Sequence, residues 1–152
     1  MRKFLLIFVC IFLLKPGYSH SLVEIDITRG NLDPLPISIS PFFTDKITNA
    51  KIKKELDLDN LGLEISKVIE NNLKKTGLFN TIDKESFLQK PDIAHLKPRF
   101  EDWTLIKSQV LITGKLTSKV IDNKDYIKIE FKLWDVLGAK MLDGFSLTTV
   151  PT

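Results

Sequence analysis

The sequence predicts a single α/β domain in which helices pack on a mixed β-sheet. Three observations predict this fold. A strand, a helix and a strand follow one another early in the chain, the helix is strongly amphipathic, and the last third contains three successive strands. The late strands alternate apolar with polar residues, so one face of the sheet is expected to meet solvent and the other to lie under the helix.

Residues 1–21 have the composition of a secretory signal peptide. Arg2-Lys3 precedes an uncharged run of eleven residues, 4–14, whereas a membrane-spanning helix needs roughly 20. Small residues permit cleavage after Ser19 or after Ser21. We therefore expect a signal peptide that is removed and an exported domain.

The remaining segment, residues 22–152, carries no net charge. Three of the 22 Lys and Arg residues lie in the leader, which leaves 19 to balance the 19 Asp and Glu residues. Nucleic acid and anionic lipid are therefore not expected as partners, because both are attracted by a positive field. The one cysteine, Cys10, also lies in the leader, so the exported domain is expected to have neither a disulfide nor thiol chemistry.

Periodicity predicts extended structure before residue 44. In Leu22–Arg29 apolar residues alternate with polar ones, as in a half-buried strand that ends at Gly30. Leu35–Phe43 is a second extended stretch, which its prolines confine to an edge or to short pairing. Residues 44–56 are polar and rich in lysine, which favours a solvated surface loop with a helical turn.

The clearest helix is predicted over residues 60–76. Asp59 or Asn60 is expected to cap its first amides, and Gly77 to supply the left-handed exit. The stripe predicted to be buried consists of Leu61, Ile65, Val68, Ile69 and Leu73.

The second half of the chain is predicted to consist mainly of strands. His95 is expected in a surface loop between Pro91 and Pro98. Asp122–Asp125 forms a hairpin loop, and Gly138 lies in the turn before the last strand. The predicted elements are a strand at 78–83, a helical turn at 84–90, a short helix from Phe100 to Ile106, and strands from Ser108 onward, at 127–134 and at 140–149.

Residue types for catalysis or metal binding are scarce after the leader. One histidine and no cysteine remain, so no metal site is expected, and no nucleophile or phosphate-loop motif accompanies His95. Paired carboxylates are the remaining basis for an enzyme, but helix capping and solvation explain them. We therefore expect no enzymatic activity, no cofactor and no small-molecule substrate. The pairs are Asp57 with Asp59, Glu101 with Asp102, and Asp122 with Asp125.

The first strand is the better candidate for function. A strand at the new N-terminus with alternating apolar residues can pair inside the domain as a plain edge strand, or be lent to a partner by strand addition. The sequence leaves both alternatives open. The candidate partner-binding residues are Leu22, Val23, Glu24, Ile25, Asp26, Ile27 and Gly30.

Six short stretches follow one another at a characteristic spacing across nearly the whole exported chain. They are Val23–Gly30, Ile37–Phe42, Lys75–Phe79 continuing to Asp83, Pro98–Trp103, Thr113–Leu116 and Phe131–Val136. Read together, they resemble the amino-terminal domain of the TolB family, the periplasmic component of the Tol–Pal envelope system of Gram-negative bacteria. Thr76 stands where the family usually has serine.

The resemblance implies a mixed-sheet α/β domain similar to the anticodon-binding domains of some tRNA synthetases, without their RNA function. It also implies that the segment Leu22–Asp33 contacts TolA, a partner anchored in the inner membrane. Ile25, Ile27 and Gly30 match the family best in this segment. The implied role is in outer-membrane integrity and in envelope constriction during cell division.

The family continues into a further helix and a six-bladed propeller that binds Pal, whereas this chain stops at Val150-Pro151-Thr152. A propeller blade takes about 40 residues, so Pal binding is not expected from residues 22–152. We expect a domain that ends before its last helix, with part of the sheet uncovered, and which is marginally stable or self-associating. The alternative hypothesis is a truncated or split gene product without independent function.

Overall fold

The computed structural model describes residues 33–46, 48, 52, 55–122 and 124–150. The predicted first strand, Leu22–Arg29, lies outside the described residues. The strands are β1 Leu35–Ile39, β2 Phe43–Thr44, β3 Phe79–Thr81, β4 Val110–Ile121, β5 Lys124–Asp135 and β6 Lys140–Thr149. The helices α1 Leu58–Lys75, α2 Pro91–Leu96 and α3 Phe100–Leu105 accompany a 3-10 turn at Lys84–Ser86.

The described strands form a six-stranded mixed sheet in the order β3-β1-β4-β5-β6, with β2 beside β4. β1 runs parallel to β3 and β4, and β2 runs parallel to β4. β4, β5 and β6 are antiparallel neighbours. Parallel neighbours need a long crossover connection, which helices supply here. α1 lies in the connection from β2 to β3, and α2 and α3 lie in the connection from β3 to β4. The predicted mixed sheet packed by helices is therefore confirmed.

β1 lies inside the sheet and not at its edge. It pairs over three residues with each of its two neighbours, so the short-pairing alternative for Leu35–Phe43 holds and the edge alternative is wrong. Pro36 has no N–H to donate, but its carbonyl accepts a hydrogen bond of 3.0 Å from the N–H of Gln109. The central position follows from burial, since Ile37 and Ile39 are both buried.

α1 begins earlier than predicted. The side chain of Asp57 accepts from the N–H of Asn60 and caps the helix, while Asp59 and Asn60 lie inside the first turn. The predicted caps are therefore wrong, because Asp57, with a φ of 43°, adopts a left-handed conformation and starts the helix before them. Gly77 has a φ of 71°, which confirms the predicted exit.

The buried stripe of α1 is also rotated from the predicted one. Val68 is 55% exposed, so its prediction as a buried residue is wrong. Leu58, Gly62 and Ser66 occupy the buried face instead. The remaining predicted residues, Leu61, Ile65, Ile69 and Leu73, pack against the core.

Phe42 lies between two glycines that the sheet and the helix contribute. A Cβ at Gly62 of α1 would collide with the carbonyl oxygen of Phe42, and a Cβ at Gly114 of β4 would collide with its ring. Phe42 is only 2% exposed. Both glycines therefore let α1 approach the sheet closely around one aromatic side chain.

The lysine-rich stretch 44–56 contributes to the core at two positions. Thr48 and Ile52 are both buried, so the predicted solvated loop is wrong there. The hydroxyl of Thr48 accepts a hydrogen bond of 3.3 Å from the N–H of Ser118, which ties this stretch to β4. Ile52 joins the apolar cluster under α1.

The stretch between Pro91 and Pro98 is a helix, α2, and not the predicted loop. Pro91 lies in the first helical turn, where N–H groups have no acceptor within the helix, so its missing N–H costs no hydrogen bond. His95 is 2% exposed, so its prediction as a surface residue is also wrong. The second apolar cluster lies between the sheet and the helices α2 and α3. It consists of Ala94, Trp103, Leu111, Trp134 and Val136.

Candidate protein-binding surfaces

The predicted site residues Leu22–Gly30 lie outside the described residues. The structure defines the point at which this segment joins the domain. Asp33 and Pro34 are exposed. The N–H of Leu35 donates a hydrogen bond of 2.8 Å to the carbonyl of Leu78, which holds the start of β1 at one end of the sheet. Leu22–Gly30 is therefore tethered at the end where β1 and β4 begin.

The same end of the sheet carries an open groove of about 700 Å³ between α3 and the β5–β6 turn. Gln109 connects this turn to the start of β1, because its carbonyl accepts from Val136 at 2.9 Å and its N–H donates to Pro36 at 3.0 Å. Leu105 is 73% exposed and Leu137 is 54% exposed along the groove. The tether of the predicted binding segment is thus close to an apolar surface.

Sequence reasoning missed this groove. Leu105 ends a short helix and Leu137 lies in a turn, so neither belongs to a periodic apolar pattern. The one local signal is a leucine directly before Gly138 in a predicted turn, where polar residues are usual.

The β5–β6 turn that carries Leu137 is held by a buried carboxylate. Asp135 is 1% exposed and accepts a hydrogen bond of 2.8 Å from the N–H of Gly138. A Cβ at position 138 would collide with this carboxylate, so the turn requires glycine there. Ala139 completes the turn with a φ of 49°. The position of Leu137 is therefore set by its neighbours.

A network of charged side chains occupies the sheet face opposite α1. Lys115 contacts Glu130 at 3.0 Å and Asp45 at 3.3 Å, and Lys128 contacts Glu130 at 2.8 Å. The bond from Lys128, followed by that from Lys115, outweighs burial and lowers the pKa of Glu130 to about 2. Burial alone would lower the pKa of Lys115, but its bonds to Glu130 and Asp45 raise it. These charges are already paired within the domain.

His95 lies beside this network and is uncharged at neutral pH. Burial, and then the positive charges of Lys132 and Lys115, lower its pKa to about 4. Its ring meets the ring of Phe43 edge to face at 5.8 Å. Its Nδ1 has no hydrogen-bond partner among the described residues.

Three residues of the predicted carboxylate pairs have structural roles in a helix cap, an ion pair and a turn. Asp57 caps α1, and Asp102 pairs with Arg99 at 2.6 Å. Asp122 has a φ of 50° in the β4–β5 turn. Within the part of the chain that the structure describes, no group of three or more His, Cys, Asp or Glu side chains is arranged to hold a metal ion. The described helices include none long and apolar enough to cross a membrane.

Comparison with known proteins decides the family. Residues 23–142 match the family model described as the TolB amino-terminal domain. This chain belongs to the TolB amino-terminal domain family. A curated relative, the Tol-Pal system protein TolB of Pelagibacter ubique (strain HTCC1062), is 51% identical over 142 residues. That match covers 93% of this chain and 31% of the relative, so the chain spans about a third of the relative's length.

Two solved structures share the fold of this domain at low sequence identity. Lipoprotein GNA1162 from Neisseria meningitidis superposes with a TM-score of 0.53 at 12% identity, covering 78% of this chain and 81% of that protein. Protein CT253 from Chlamydia trachomatis gives a TM-score of 0.52 at 15% identity, covering 76% of this chain and 72% of that protein. These likenesses concern the fold alone.

Proposed function

We propose that this TolB-family domain is a non-catalytic, protein-binding component of a Tol–Pal-like system in the periplasm. The observation that carries the proposal is the family match over residues 23–142, joined to 51% identity with a Tol-Pal system protein. The site chemistry is consistent with it, since Glu130 and Lys115 are paired with each other and His95 is buried. The domain offers surfaces to a partner, not groups placed for bond making.

The segment Leu22–Asp33 is the binding site in this proposal, and its partner is a TolA-like protein anchored in the inner membrane. Its alternating Val23, Ile25 and Ile27 suit strand addition, in which main-chain hydrogen bonds supply affinity and alternate side chains supply specificity. Because the segment is tethered beside the groove that contains Leu105 and Leu137, a partner bound to it can also contact this groove.

The cellular role follows from such a contact. A periplasmic domain held by an inner-membrane protein contributes to outer-membrane integrity and to envelope constriction during division. Pal binding is not part of the proposal, which concerns residues 22–152 alone.

Export by the leader is the first part to test. N-terminal sequencing of the purified protein is expected to begin at Leu22 or at His20, and fusion of residues 1–21 to alkaline phosphatase is expected to give an active exported enzyme. A protein that retains Met1 in the cytoplasm contradicts the periplasmic assignment.

Deletion of residues 22–33 tests the site. We expect loss of binding to the TolA-like protein of the same genome, measured by surface plasmon resonance, with an unchanged circular dichroism spectrum. The fold is expected to survive because the deletion ends before β1 and removes no core residue that the structure describes.

Point variants give a matched comparison within the segment. Ile25→Asp with Ile27→Asp is expected to weaken binding by at least roughly ten-fold, because buried apolar anchors dominate interface energies. Glu24→Ala with Asp26→Ala changes the opposite face of the same strand and is expected to have a smaller effect. Binding that survives the deletion, or equal losses in both pairs, contradicts this assignment.

A further inference from the structure

α2 is held on the sheet by few of its own groups. It has six residues, too few for a helix that is stable alone. Ala94 and His95 are buried, whereas Ile93 is 50% exposed and Leu96 is 74% exposed. Among the described residues, no side chain caps its first turn. The position of α2 therefore depends on the contacts of Ala94 and His95.

The segment that carries α2 is closed at its base. Oε1 of Gln89, which precedes α2, accepts the N–H of Arg99, which follows it, at 2.9 Å. The same oxygen bonds the indole of Trp103 in α3. Residues 90–98 are therefore a loop with joined ends, and such a loop can open as a unit while its base stays in place.

The pocket between β2 and α2 gives this loop room to move. It has a volume of about 500 Å³ and is lined by Phe43 and Asp45 around β2 and by Pro91 and Leu96 of α2. The ring of His95 covers one edge of the ring of Phe43. Movement of α2 away from the sheet therefore widens the pocket and uncovers Phe43.

Positive charges make a charged His95 unfavourable in this position. Nζ of Lys132 donates a hydrogen bond of 2.8 Å to the carbonyl of His95 itself, and Lys115 is the second cation that lowers its pKa. Glu130 acts in the opposite direction, but its carboxylate already pairs with Lys115 and Lys128. The other charged groups on these elements are Asp45, which contacts Lys115, and Asp92 of α2.

We propose that residues 90–98 form an acid-operated lid, which leaves the sheet when His95 takes up a proton. A charged imidazole carries an N–H on both nitrogens, and Nδ1 of His95 has no partner among the described residues. Release into water hydrates the charged ring and removes it from Lys132 and Lys115. The apolar clusters that pack against α1 contain no residue of the lid, so they stay in place.

The difference between two pKa values sets the size of the effect. The pKa of His95 is about 4 in the closed lid, against the ordinary value of 6.5 in water. The open lid therefore binds the proton about 300-fold more tightly than the closed lid. Between pH 7 and pH 4.5 the equilibrium is expected to shift roughly 50-fold towards the open lid.

Amide hydrogen exchange on the purified, natively processed protein tests the lid at pH 7 and pH 4.5, after correction for intrinsic exchange rates. The N–H of Ala94 bonds to Lys90 and that of Lys97 bonds to Ile93, and both bonds are lost when the released helix unfolds. We expect their protection to fall roughly 50-fold at the lower pH. It is then expected to lie at least roughly ten-fold below that of Arg99, at the base of the loop.

Two variants of α2 separate His95 from other titrating groups. His95→Gln is expected to abolish the fall in protection, whereas Asp92→Asn removes the carboxylate of the same helix and is expected to preserve it. A fall that persists in His95→Gln overturns the proposal. Equal protection of Ala94 and Arg99 at pH 4.5 also overturns it, because the whole domain then opens at once. This second measurement needs no variant, so it holds even if His95→Gln does not fold.

Discussion

The indole N–H of Trp103 donates a hydrogen bond of 2.8 Å to Oε1 of Gln89, and both side chains are buried. The same oxygen accepts the backbone N–H of Arg99 at 2.9 Å. One amide oxygen therefore holds the start of α3 and orients Trp103 against Phe87, whose ring it meets edge to face at 5.0 Å.

Replacing Gln89 with Leu is expected to lower the free energy of unfolding by about 2 kcal/mol, because the buried indole N–H of Trp103 and the part-buried backbone N–H of Arg99 lose their acceptor. Urea denaturation followed by tryptophan fluorescence measures the change. Leu88→Ala, at a position that is 58% exposed, is the matched control and is expected to stay within about 0.5 kcal/mol. Equal stability of Gln89→Leu and the unchanged protein contradicts the assigned role of this oxygen.

Gly62→Ala is expected to destabilise the domain although alanine is the better helix former. The added methyl group meets the backbone of Phe42, which cannot move away as a flexible side chain does. Overpacking of this kind lowers the free energy of unfolding by about 1 to 3 kcal/mol. The higher helix propensity of alanine raises it by at most roughly 1 kcal/mol, so the net effect is destabilising. Thermal unfolding by circular dichroism measures the balance. Asn71→Ala, on the exposed side of α1, is the control, and a stabilised Gly62→Ala variant contradicts the close approach.

Substitutions at Val68 and Ile65 distinguish the observed buried face of α1 from the predicted one. Ile65→Ala is expected to cost about 2 kcal/mol, because Ile65 packs against the core under the helix. Val68→Ala is expected to be neutral within about 0.5 kcal/mol, since Val68 is 55% exposed and alanine favours the helix. Chemical denaturation of the two variants compares them, and a larger loss at Val68 would contradict this orientation of α1.

The burial of His95 makes stability depend on pH. Its pKa is about 4 in the folded protein, below the ordinary value of 6.5, so the unfolded chain binds the proton more readily. The stability that the domain gains by keeping His95 uncharged is fully present above pH 6.5, and it is lost as the pH falls from 6.5 towards 4. Glu130, with a folded pKa of about 2, adds its own loss only below its ordinary value of 4.5.

Urea denaturation at pH 7, 5.5 and 4 measures this dependence. We expect His95 to account for a loss of about 3 kcal/mol between pH 7 and pH 4. His95→Gln removes the titrating group and is expected to flatten the profile above pH 4.5, whatever its effect on absolute stability. An unchanged slope in His95→Gln would show that other groups cause the acid sensitivity.

Local periodicity was enough to predict several elements. The strand predicted at 140–149 agrees with β6, Lys140–Thr149, and the predicted helix 60–76 overlaps α1 almost completely. Both patterns are long, so many residues repeat the same signal of period two or 3.6. Glycine at 77 likewise marks its own left-handed conformation, because few other residues adopt it.

Short elements were not predictable in this way. α2 has six residues, too few to form a stable helix alone, and it exists because Ala94 packs with Trp103 on the sheet. The same packing buries His95, whose sequence neighbours Pro91 and Pro98 indicated a loop. Likewise, Leu105 and Leu137 form one groove only because α3 and the β5–β6 turn meet.

The sequence by itself determined the fold class and the late strands, because these depend on residues close together in the chain. Tertiary structure decided that β1 is central, that Val68 faces solvent and that His95 is buried. Each of these depends on what a distant segment places opposite the residue. A contact between elements far apart in the chain leaves no periodic trace in either one.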